Sequence, residues 1–198
     1  MYEKFGKRLF DIVASGVGLI VLFPVMLVIG VIIKITSPGP VFFVQKRVGK
    51  NFKEFNLYKF RSMVVNADKI GPSVTKGNDK RITRIGRFLR KTKLDELPQL
   101  WNVLKGDMSL VGPRPEVMKY VKERKKEYEK VLSVRPGITD YAAIEFRDEE
   151  EILNKYPDTE KAYIEIILPK KIELYYKYIN NINFIDDIKI ILKTLKVI

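Results

Sequence analysis

The sequence contains neither cysteine nor histidine among its 198 residues. Their absence excludes a thiol nucleophile, an imidazole base and the usual zinc ligands, and it removes any disulfide argument about the cellular compartment. Nucleophilic or acid–base chemistry must therefore come mainly from carboxylates. A metal ion held by carboxylate and phosphate oxygens is expected to be Mg²⁺ or Mn²⁺.

Negative charge is also in short supply, because 37 Lys and Arg residues face 24 Asp and Glu residues, for a formal net charge of +13. This excess predicts an anionic partner: a nucleic acid, an acidic membrane surface or a phosphorylated substrate. We recognise no zinc-finger, RRM or KH pattern, and therefore expect no nucleic-acid partner. With 46% hydrophobic residues, the chain has enough apolar material for a core and a membrane-embedded element.

Charge is absent between Ile12 and Ile33. A straight helix of this length would extend about 30 Å, enough to cross a bilayer. Pro24, preceded by Phe23, should kink it, and basic residues flank the run on both sides, which predicts that both ends face the cytoplasm. The flanking residues are Lys4, Lys7, Arg8, Lys34, Lys46, Arg47, Lys50 and Lys53. We therefore predict a re-entrant membrane hairpin over residues 1–36 and a cytoplasmic catalytic domain over residues 37–198.

The densest basic cluster, residues 81–93, precedes a pair of carboxylates. Apolar residues at helical spacing predict a basic amphipathic helix that ends near Thr92. Because proline is tolerated only in the first turn of a helix, Pro98 predicts that the next helix begins near Asp95. Asp95 and Glu96 would then lie at a helix N-terminus, where N–H groups and nearby cations keep both ionised, and together they could hold a divalent cation. A simple N-cap role for Asp95 is the structural alternative.

Two stretches near this pair are predicted to present cations. Turn residues in GPRP, residues 112–115, indicate a rigid loop that carries Arg114 and could bind an anion, although a purely structural turn fits it equally well. Strand-like segments at 41–45 and 55–60, on either side of a turn at 49–51, predict a β-hairpin. Lys59 and Arg61 would project from that hairpin, either towards a pyrophosphate or as a solvated basic face.

The remaining chain shows weaker patterns. Residues 66–79 are predicted to form a loop, and residues 115–132 a charged helix with a solvated face. An amphipathic helix interrupted at Pro169 is predicted over residues 163–179. Asn183 is predicted to cap a last helix, 184–198, whose apolar stripe would pack in the core or lie on the membrane surface. The stripe consists of Ile188, Ile191, Leu192 and Leu195.

The stretch from Leu94 to Pro115, LDELPQLWNVLKGDMSLVGPRP, resembles the signature of the bacterial sugar transferase family, the monotopic polyprenyl-phosphate phosphoglycosyl transferases. The resemblance extends from Met1 to about Thr139 and includes QKRVGKNFKEFNLYKFRSM and RPGIT. It implies a mostly helical α+β fold with an N-terminal re-entrant helix-break-helix, a small β-hairpin and amphipathic helices at the membrane surface. Members usually carry Ser-Pro at the break, whereas this chain has Phe23 before Pro24, so the sharpness of the break is open.

The resemblance implies that the chain transfers a sugar 1-phosphate from a UDP-sugar to undecaprenyl phosphate at the cytoplasmic face of the bacterial inner membrane, with release of UMP. Asp95 would be the nucleophile that forms an aspartyl phosphosugar and would also touch Mg²⁺, while Glu96 would bind metal or accept a proton. The implied substrate contacts are Lys59, Arg61, Arg90, Arg114, Arg135 and Arg147.

Beyond Thr139 the match to most family members loosens. The acidic stretch from Glu145 to Glu149, which contains Arg147, fits a second branch of the family, and the resemblance implies that this stretch borders the sugar pocket. The identity of the sugar is therefore open. A homodimer is a further expectation from family likeness. A membrane-surface scaffold and a basic nucleic-acid-binding protein are the alternative functions.

Overall fold

A computed structural model describes residues 2–71, 75 and 79–197 of the chain. Within these residues, eleven α-helices and four β-strands form the mostly helical α+β fold that the sequence predicts. The helices are α1 (Lys7–Thr36), α2 (Ala67–Ile70), α3 (Arg84–Lys91), α4 (Gln99–Lys105), α5 (Met118–Glu123), α6 (Lys125–Val131), α7 (Tyr141–Glu145), α8 (Glu149–Leu153), α9 (Thr159–Ala162), α10 (Leu168–Ile179) and α11 (Phe184–Val197). The strands are β1 (Phe42–Val48), β2 (Glu54–Phe60), β3 (Ser109–Val111) and β4 (Gly137–Thr139). Single turns of 3₁₀ or π helix occur at Tyr2–Gly6, Lys50–Phe52, Leu94–Glu96 and Tyr163–Ile167.

Helix α1 runs from Lys7 to Thr36 and contains Pro24 in its interior. The expected helix-break-helix is not confirmed, because the helix continues through Pro24 although proline has no N–H to donate to the preceding turn. Among the described residues, α1 is the one helix long and apolar enough to cross a membrane, and only 11% of its most apolar window is buried. Phe23, for example, is 62% exposed. Large apolar side chains exposed along one helix are typical of a membrane contact.

Both ends of α1 are bonded to the rest of the fold. Near its start, the Lys7 Nζ lies 2.6 Å from a carboxylate oxygen of Asp187 in α11. Arg8 donates hydrogen bonds to carbonyl oxygens at the end of α4, at 2.6 and 2.9 Å. At the other end, Ile29 and Ile33 pack against buried side chains of β2 and α3. The basic residues Lys7 and Arg8, predicted as membrane-flanking charges, thus hold α1 against the domain.

The two small sheets position the segments around the carboxylate pair. β1 and β2 form the predicted antiparallel hairpin, with Phe42 opposite Phe60, and both strands extend beyond the predicted bounds where they face the turn. β3 and β4 pair in parallel, and the N–H of Gly112, just after β3, donates to the carbonyl oxygen of Thr139 at 2.9 Å. A Cβ on Gly112 would come within 2.6 Å of the Arg135 carbonyl oxygen, so only glycine fits this approach. The chain therefore leaves β3 in a fixed direction, towards Arg114.

The C-terminal half contains the largest hydrophobic core, where Tyr128, Leu168 and Tyr175 are buried. The single helix predicted over 115–132 is wrong, because Arg124 adopts a non-helical conformation that separates α5 from α6. The predicted interruption at Pro169 is wrong, because α10 continues through this residue. The helical hydrogen-bond pattern changes earlier, in a π turn, Tyr163–Ile167, that joins α9 to α10. Pro169 lies in the first turn of α10, where a missing N–H leaves no hydrogen bond unmade.

Two further predictions concern the last helix and the 66–79 loop. Asn183 caps α11 as predicted, since its side-chain oxygen accepts the Asp186 N–H at 2.9 Å. No residue of the predicted apolar stripe is fully buried: Ile188 and Ile191 are half-buried, and Leu192 and Leu195 are exposed. The buried apolar residue of α11 is Ile190, which lies outside that stripe. The membrane-surface role of this helix stays a prediction. In the predicted loop, α2 occupies four residues, and residues 72–74 and 76–78 lie outside the described part of the chain.

Candidate active site

The predicted basic amphipathic helix is confirmed as α3. It begins at Arg84, whereas the basic cluster begins at Arg81. Thr83 caps it, because its hydroxyl accepts the Gly86 N–H at 3.0 Å. After α3, Lys93 adopts a left-handed conformation (φ 54°), which reverses the chain. This reversal carries the chain into the 3₁₀ turn Leu94–Glu96.

The expectation that the next helix begins near Asp95 is wrong, because α4 begins at Gln99. Pro98 has no N–H and cannot extend the α-helical hydrogen bonds back to Leu94. Short-range bonds replace them, with the Glu96 N–H donating to the Lys93 carbonyl and the Leu97 N–H to the Leu94 carbonyl. Asp95 and Glu96 therefore lie in a tight turn ahead of α4 and do not cap it.

Glu96 is held between two cations from distant parts of the chain. Lys59, on β2, donates to its carboxylate at 2.8 Å, and Arg114 reaches both of its oxygens, one of them at 3.2 Å. Burial alone would raise the pKa of Glu96, but the Arg114 guanidinium and the Lys59 ammonium outweigh it and hold that pKa well below its usual value. Glu96 is thus a fixed anion with its hydrogen bonds satisfied.

Asp95 has a contrasting environment although it is the next residue in the chain. It is 5% exposed, and its Oδ1 has no hydrogen-bond partner among the described residues. Burial raises its pKa, opposed by the charge of Lys59 and reinforced by that of Glu96. An unpartnered carboxylate oxygen with a raised pKa is a better nucleophile than a fully hydrogen-bonded one, and it is also free to bind a cation.

Asp140 positions the backbone of Arg114, a role that the sequence motifs did not indicate. Its carboxylate accepts the backbone N–H of Arg114 at 3.0 Å and that of Ala143 at 2.6 Å, so it also caps α7. Burial raises the pKa of Asp140 to about 6, despite these hydrogen bonds and the Arg114 charge. An aspartate directly before a helical segment is an N-cap signal, and that signal was available in the sequence.

A cavity of about 1430 Å³ adjoins the carboxylate pair. Seven predicted site residues line it: Lys59, Arg61, Arg90, Asp95, Glu96, Arg114 and Arg147. Arg90 forms an ion pair with Glu150 of α8, which links α3 to the opposite wall. Apolar residues of α1, namely Phe10, Ala14 and Leu22, complete one side. The cavity therefore joins a charged region to the apolar helix.

Two of the predicted arginines bond to backbone carbonyls. Arg61 is 4% exposed and donates to the carbonyl oxygens of Ser37 and Pro38, just after α1, although it also belongs to the cavity wall. Arg135 lies outside the cavity wall and donates to the Gly106 carbonyl oxygen at 2.9 Å, beside the end of α4. The structure thus brings Lys59 and Arg114 to the carboxylates, whereas Arg61 and Arg135 bond to backbone carbonyls just after α1 and α4.

Sequence reasoning missed two residues in the far wall of the cavity, Lys171 and Tyr175. Lys171, in α10, forms an ion pair with Glu149 of α8. Tyr175, one turn further along α10, also lines the cavity. α10 lies beyond the family motifs, so the only available signal was a polar position on an otherwise apolar helix face.

The side chains present suit Mg²⁺ only in part. No cluster of three or more Asp, Glu, His or Cys side chains that could hold a metal occurs within residues 2–71, 75 and 79–197. Mg²⁺ is, however, commonly held by one or two carboxylates together with substrate phosphates. The unpartnered Oδ1 of Asp95 fits that role.

Comparisons with known proteins are consistent with this geometry. Residues 2–198 match the family model described as bacterial sugar transferase. The chain is 41% identical, over 198 residues, to a UDP-N-acetylgalactosamine-undecaprenyl-phosphate N-acetylgalactosaminephosphotransferase from Aeromonas hydrophila. That alignment covers 98% of this chain and 44% of the relative.

Two further relatives carry a different sugar in their names. UDP-glucose:undecaprenyl-phosphate glucose-1-phosphate transferases from Xanthomonas campestris and Escherichia coli are 40% and 39% identical to the chain. The alignments cover 98% and 95% of the chain but 38% and 39% of these relatives. The chain thus spans less than half the length of each of these three curated relatives.

Proposed function

This chain belongs to the bacterial sugar transferase family, and we propose that it transfers a sugar 1-phosphate from a UDP-sugar to undecaprenyl phosphate, with release of UMP. The observation that carries this proposal is the pair at the cavity: a buried Asp95 with an unpartnered oxygen, next to a Glu96 held by Lys59 and Arg114. One carboxylate is available to react, while the other keeps two cations at the site.

In the first step, an Asp95 carboxylate oxygen attacks the β-phosphorus of the UDP-sugar. The bond from that phosphorus to the bridging oxygen breaks, and the electron pair leaves with UMP. The sugar stays attached through its phosphate to Asp95. Lys59 and Arg114 offset the charge on the phosphate oxygens, as charge stabilisation in phosphoryl transfer requires.

In the second step, a phosphate oxygen of undecaprenyl phosphate attacks the same phosphorus, and the Asp95 carboxylate leaves. The product is the sugar linked by a diphosphate to the polyprenol. The apolar wall that Phe10, Ala14 and Leu22 contribute from α1 supports entry of a lipid acceptor on that side.

We further propose that Mg²⁺ binds to Asp95 together with the phosphate oxygens of the UDP-sugar. The ion would supply positive charge to the diphosphate. Glu96, an anion held by Lys59 and Arg114, would add negative charge to this site.

The membrane topology is part of the proposal: α1 enters and leaves the cytoplasmic side of the inner membrane, bent at Pro24. Support comes from its two ends, since Lys7 bonds to Asp187 and the residues after α1 bond to Arg61. Two helix ends attached to one folded body do not readily lie on opposite sides of a bilayer.

Cysteine labelling tests this topology cleanly, because the natural chain has no cysteine. Glu3 and Thr36 are exposed near the two ends of the apolar segment. We expect Glu3→Cys and Thr36→Cys to react with a membrane-impermeant maleimide in inverted vesicles and not in spheroplasts. Reaction of Glu3→Cys in spheroplasts would rule out the hairpin.

The activity is tested with the full chain in lipid nanodiscs, Mg²⁺, undecaprenyl phosphate and a panel that includes UDP-glucose and UDP-N-acetylgalactosamine. We expect UMP release with at least one UDP-sugar, and in the absence of the acceptor a single burst of UMP of about one equivalent, because a covalent intermediate accumulates. Turnover without such a burst contradicts the two-step mechanism. No UMP release from any UDP-sugar contradicts the function itself.

A further inference from the structure

The far wall of the cavity contains a hydroxyl group that neither transfer step uses. Tyr175, in α10, is fully buried, lines the cavity and has no hydrogen-bond partner for its Oη among the described residues. A buried polar group without a partner costs about 1–3 kcal/mol relative to one that is satisfied. Such a group calls for an explanation, and for a hydroxyl in the wall of a substrate cavity a bound ligand is one.

A carboxylate lies in the same wall. Glu149, at the start of α8, lines the cavity and is held by Lys171, which lies one turn before Tyr175 in α10. Lys171 is itself 5% exposed and lies over the ring of Tyr163, 4.9 Å from its centroid. The buried Lys171 ammonium therefore fixes the position of the Glu149 carboxylate. The Glu149 side chain is itself more exposed, at 24%, than the Lys171 side chain, at 6%.

This wall belongs to the same cavity as the carboxylate pair. Asp95, Glu96 and Arg114 line that cavity together with Glu149 and Tyr175. In a UDP-sugar attacked at its β-phosphorus, the sugar is attached directly to that phosphorus, whereas the uridine lies one phosphate further away.

We propose that Tyr175 and Glu149, with Lys171 as a positioning residue, bind the hydroxyl groups of the sugar in the UDP-sugar and select which sugar is transferred. This inference rests on the proposed function and names the residues that recognise the sugar of the UDP-sugar. A carboxylate and a phenol suit sugar hydroxyls, which donate and accept hydrogen bonds. They do not suit a phosphate, which the acidic wall repels, or an isoprenoid chain, which has no polar groups.

The chain offers a matched control for Tyr175. Tyr128, in α6, is equally buried and also has an unpartnered hydroxyl, but it lies outside the cavity wall. Tyr175→Phe and Tyr128→Phe each remove one oxygen from a buried ring. Neither change should lower thermal stability, because each removes an unsatisfied polar group.

The experiment measures binding and UMP release by the full chain in nanodiscs, with UDP, UDP-glucose and UDP-N-acetylgalactosamine as probes. For the preferred UDP-sugar, we expect Tyr175→Phe to weaken binding and lower kcat/KM by about tenfold, the effect of one lost hydrogen bond. Affinity for UDP, which has no sugar beyond its phosphates, should stay unchanged, and the preference between the two UDP-sugars should shrink. Tyr128→Phe should match the wild type throughout.

A second variant tests the carboxylate. Glu149→Gln keeps the shape and removes the charge, and we expect a similar loss for the UDP-sugar but not for UDP. If Tyr175→Phe and Glu149→Gln both retain wild-type sugar preference, or weaken UDP and UDP-sugar equally, the inference is overturned while the proposed function stands. If the wild-type chain neither binds nor cleaves any of the UDP-sugars, the proposed function fails, and the inference fails with it.

Discussion

The two ends of α4 use basic residues in different ways. Ahead of its first residue, Lys59 and Arg114 meet the carboxylate of Glu96. At its C-terminal end, Arg8 and Arg135 donate to the backbone carbonyls of Val103, Leu104 and Gly106. The first arrangement places positive charge beside Asp95, the proposed nucleophile, whereas the second only closes a helix end.

The difference shows that an arginine in a motif does not reveal its task. Arg114 and Arg135 both have Pro and Gly neighbours in the sequence, and both were predicted to contact the substrate. What separates them is the acceptor that the fold brings within reach: a carboxylate in one case and a carbonyl in the other. Arg61, bonded to carbonyls just after α1, belongs with Arg135 in this respect.

The largest effect is expected at the reactive end. Asp95→Asn keeps the shape of the side chain but removes the nucleophile, so we expect kcat/KM to fall on the order of 10⁴-fold. Mass spectrometry of the chain incubated with a UDP-sugar should detect an adduct in the wild type and none in the variant. An adduct of undiminished yield would show that Asp95 is not the nucleophile.

The next largest effect is expected at Glu96. Glu96→Gln leaves Lys59 and Arg114 without their anion in a buried site, so we expect a loss of stability of about 3 kcal/mol. Activity should fall roughly 100-fold, because both cations lose their fixed positions. Denaturant unfolding and UMP release measure the two effects, and unchanged stability would contradict the role of Glu96 as the shared partner.

A matched pair then compares the two ends directly. Arg114→Gln should lower kcat/KM by about 100-fold, because charge near the phosphates is lost. Arg135→Gln should instead lower the free energy of unfolding by about 1–3 kcal/mol with activity within about threefold of wild type, because it removes a charged donor to a carbonyl. An activity loss at Arg135 as large as that at Arg114 would break the comparison.

The last expected effect is on the pH dependence of stability and concerns Asp140, whose carboxylate accepts the backbone N–H of Arg114. Its pKa rises from 3.8 to about 6 on burial, so the folded chain keeps a proton that the unfolded chain has lost between these values. Stability should therefore fall as pH rises from about 4 through about 6, by up to about 3 kcal/mol from this group. Asp140→Asn should flatten the slope of unfolding free energy against pH over this window, and an unchanged slope would contradict it.

Local elements were predictable where the signal lies within a few residues. The β1–β2 hairpin follows from alternating strand residues around a turn, and α11 follows from Asn183 and an apolar period. α4 was misplaced because its start depends on how Pro98 ends one hydrogen-bond pattern and permits another. The division between α5 and α6 at Arg124 had no local signal that we recognise.

The sequence by itself indicated the kind of chemistry: without cysteine or histidine, and with adjacent Asp95 and Glu96 among many cations, carboxylates were the expected reacting groups. It also determined the apolar segment that became α1. Only the tertiary structure decided which cations bond to Glu96, since Lys59 lies 37 residues from it and Arg114 lies 18 residues from it. Local periodicity and turn chemistry act over a few residues, whereas such contacts depend on how whole elements pack together. For the same reason Tyr175, on a helix beyond every motif, entered the site only through the fold.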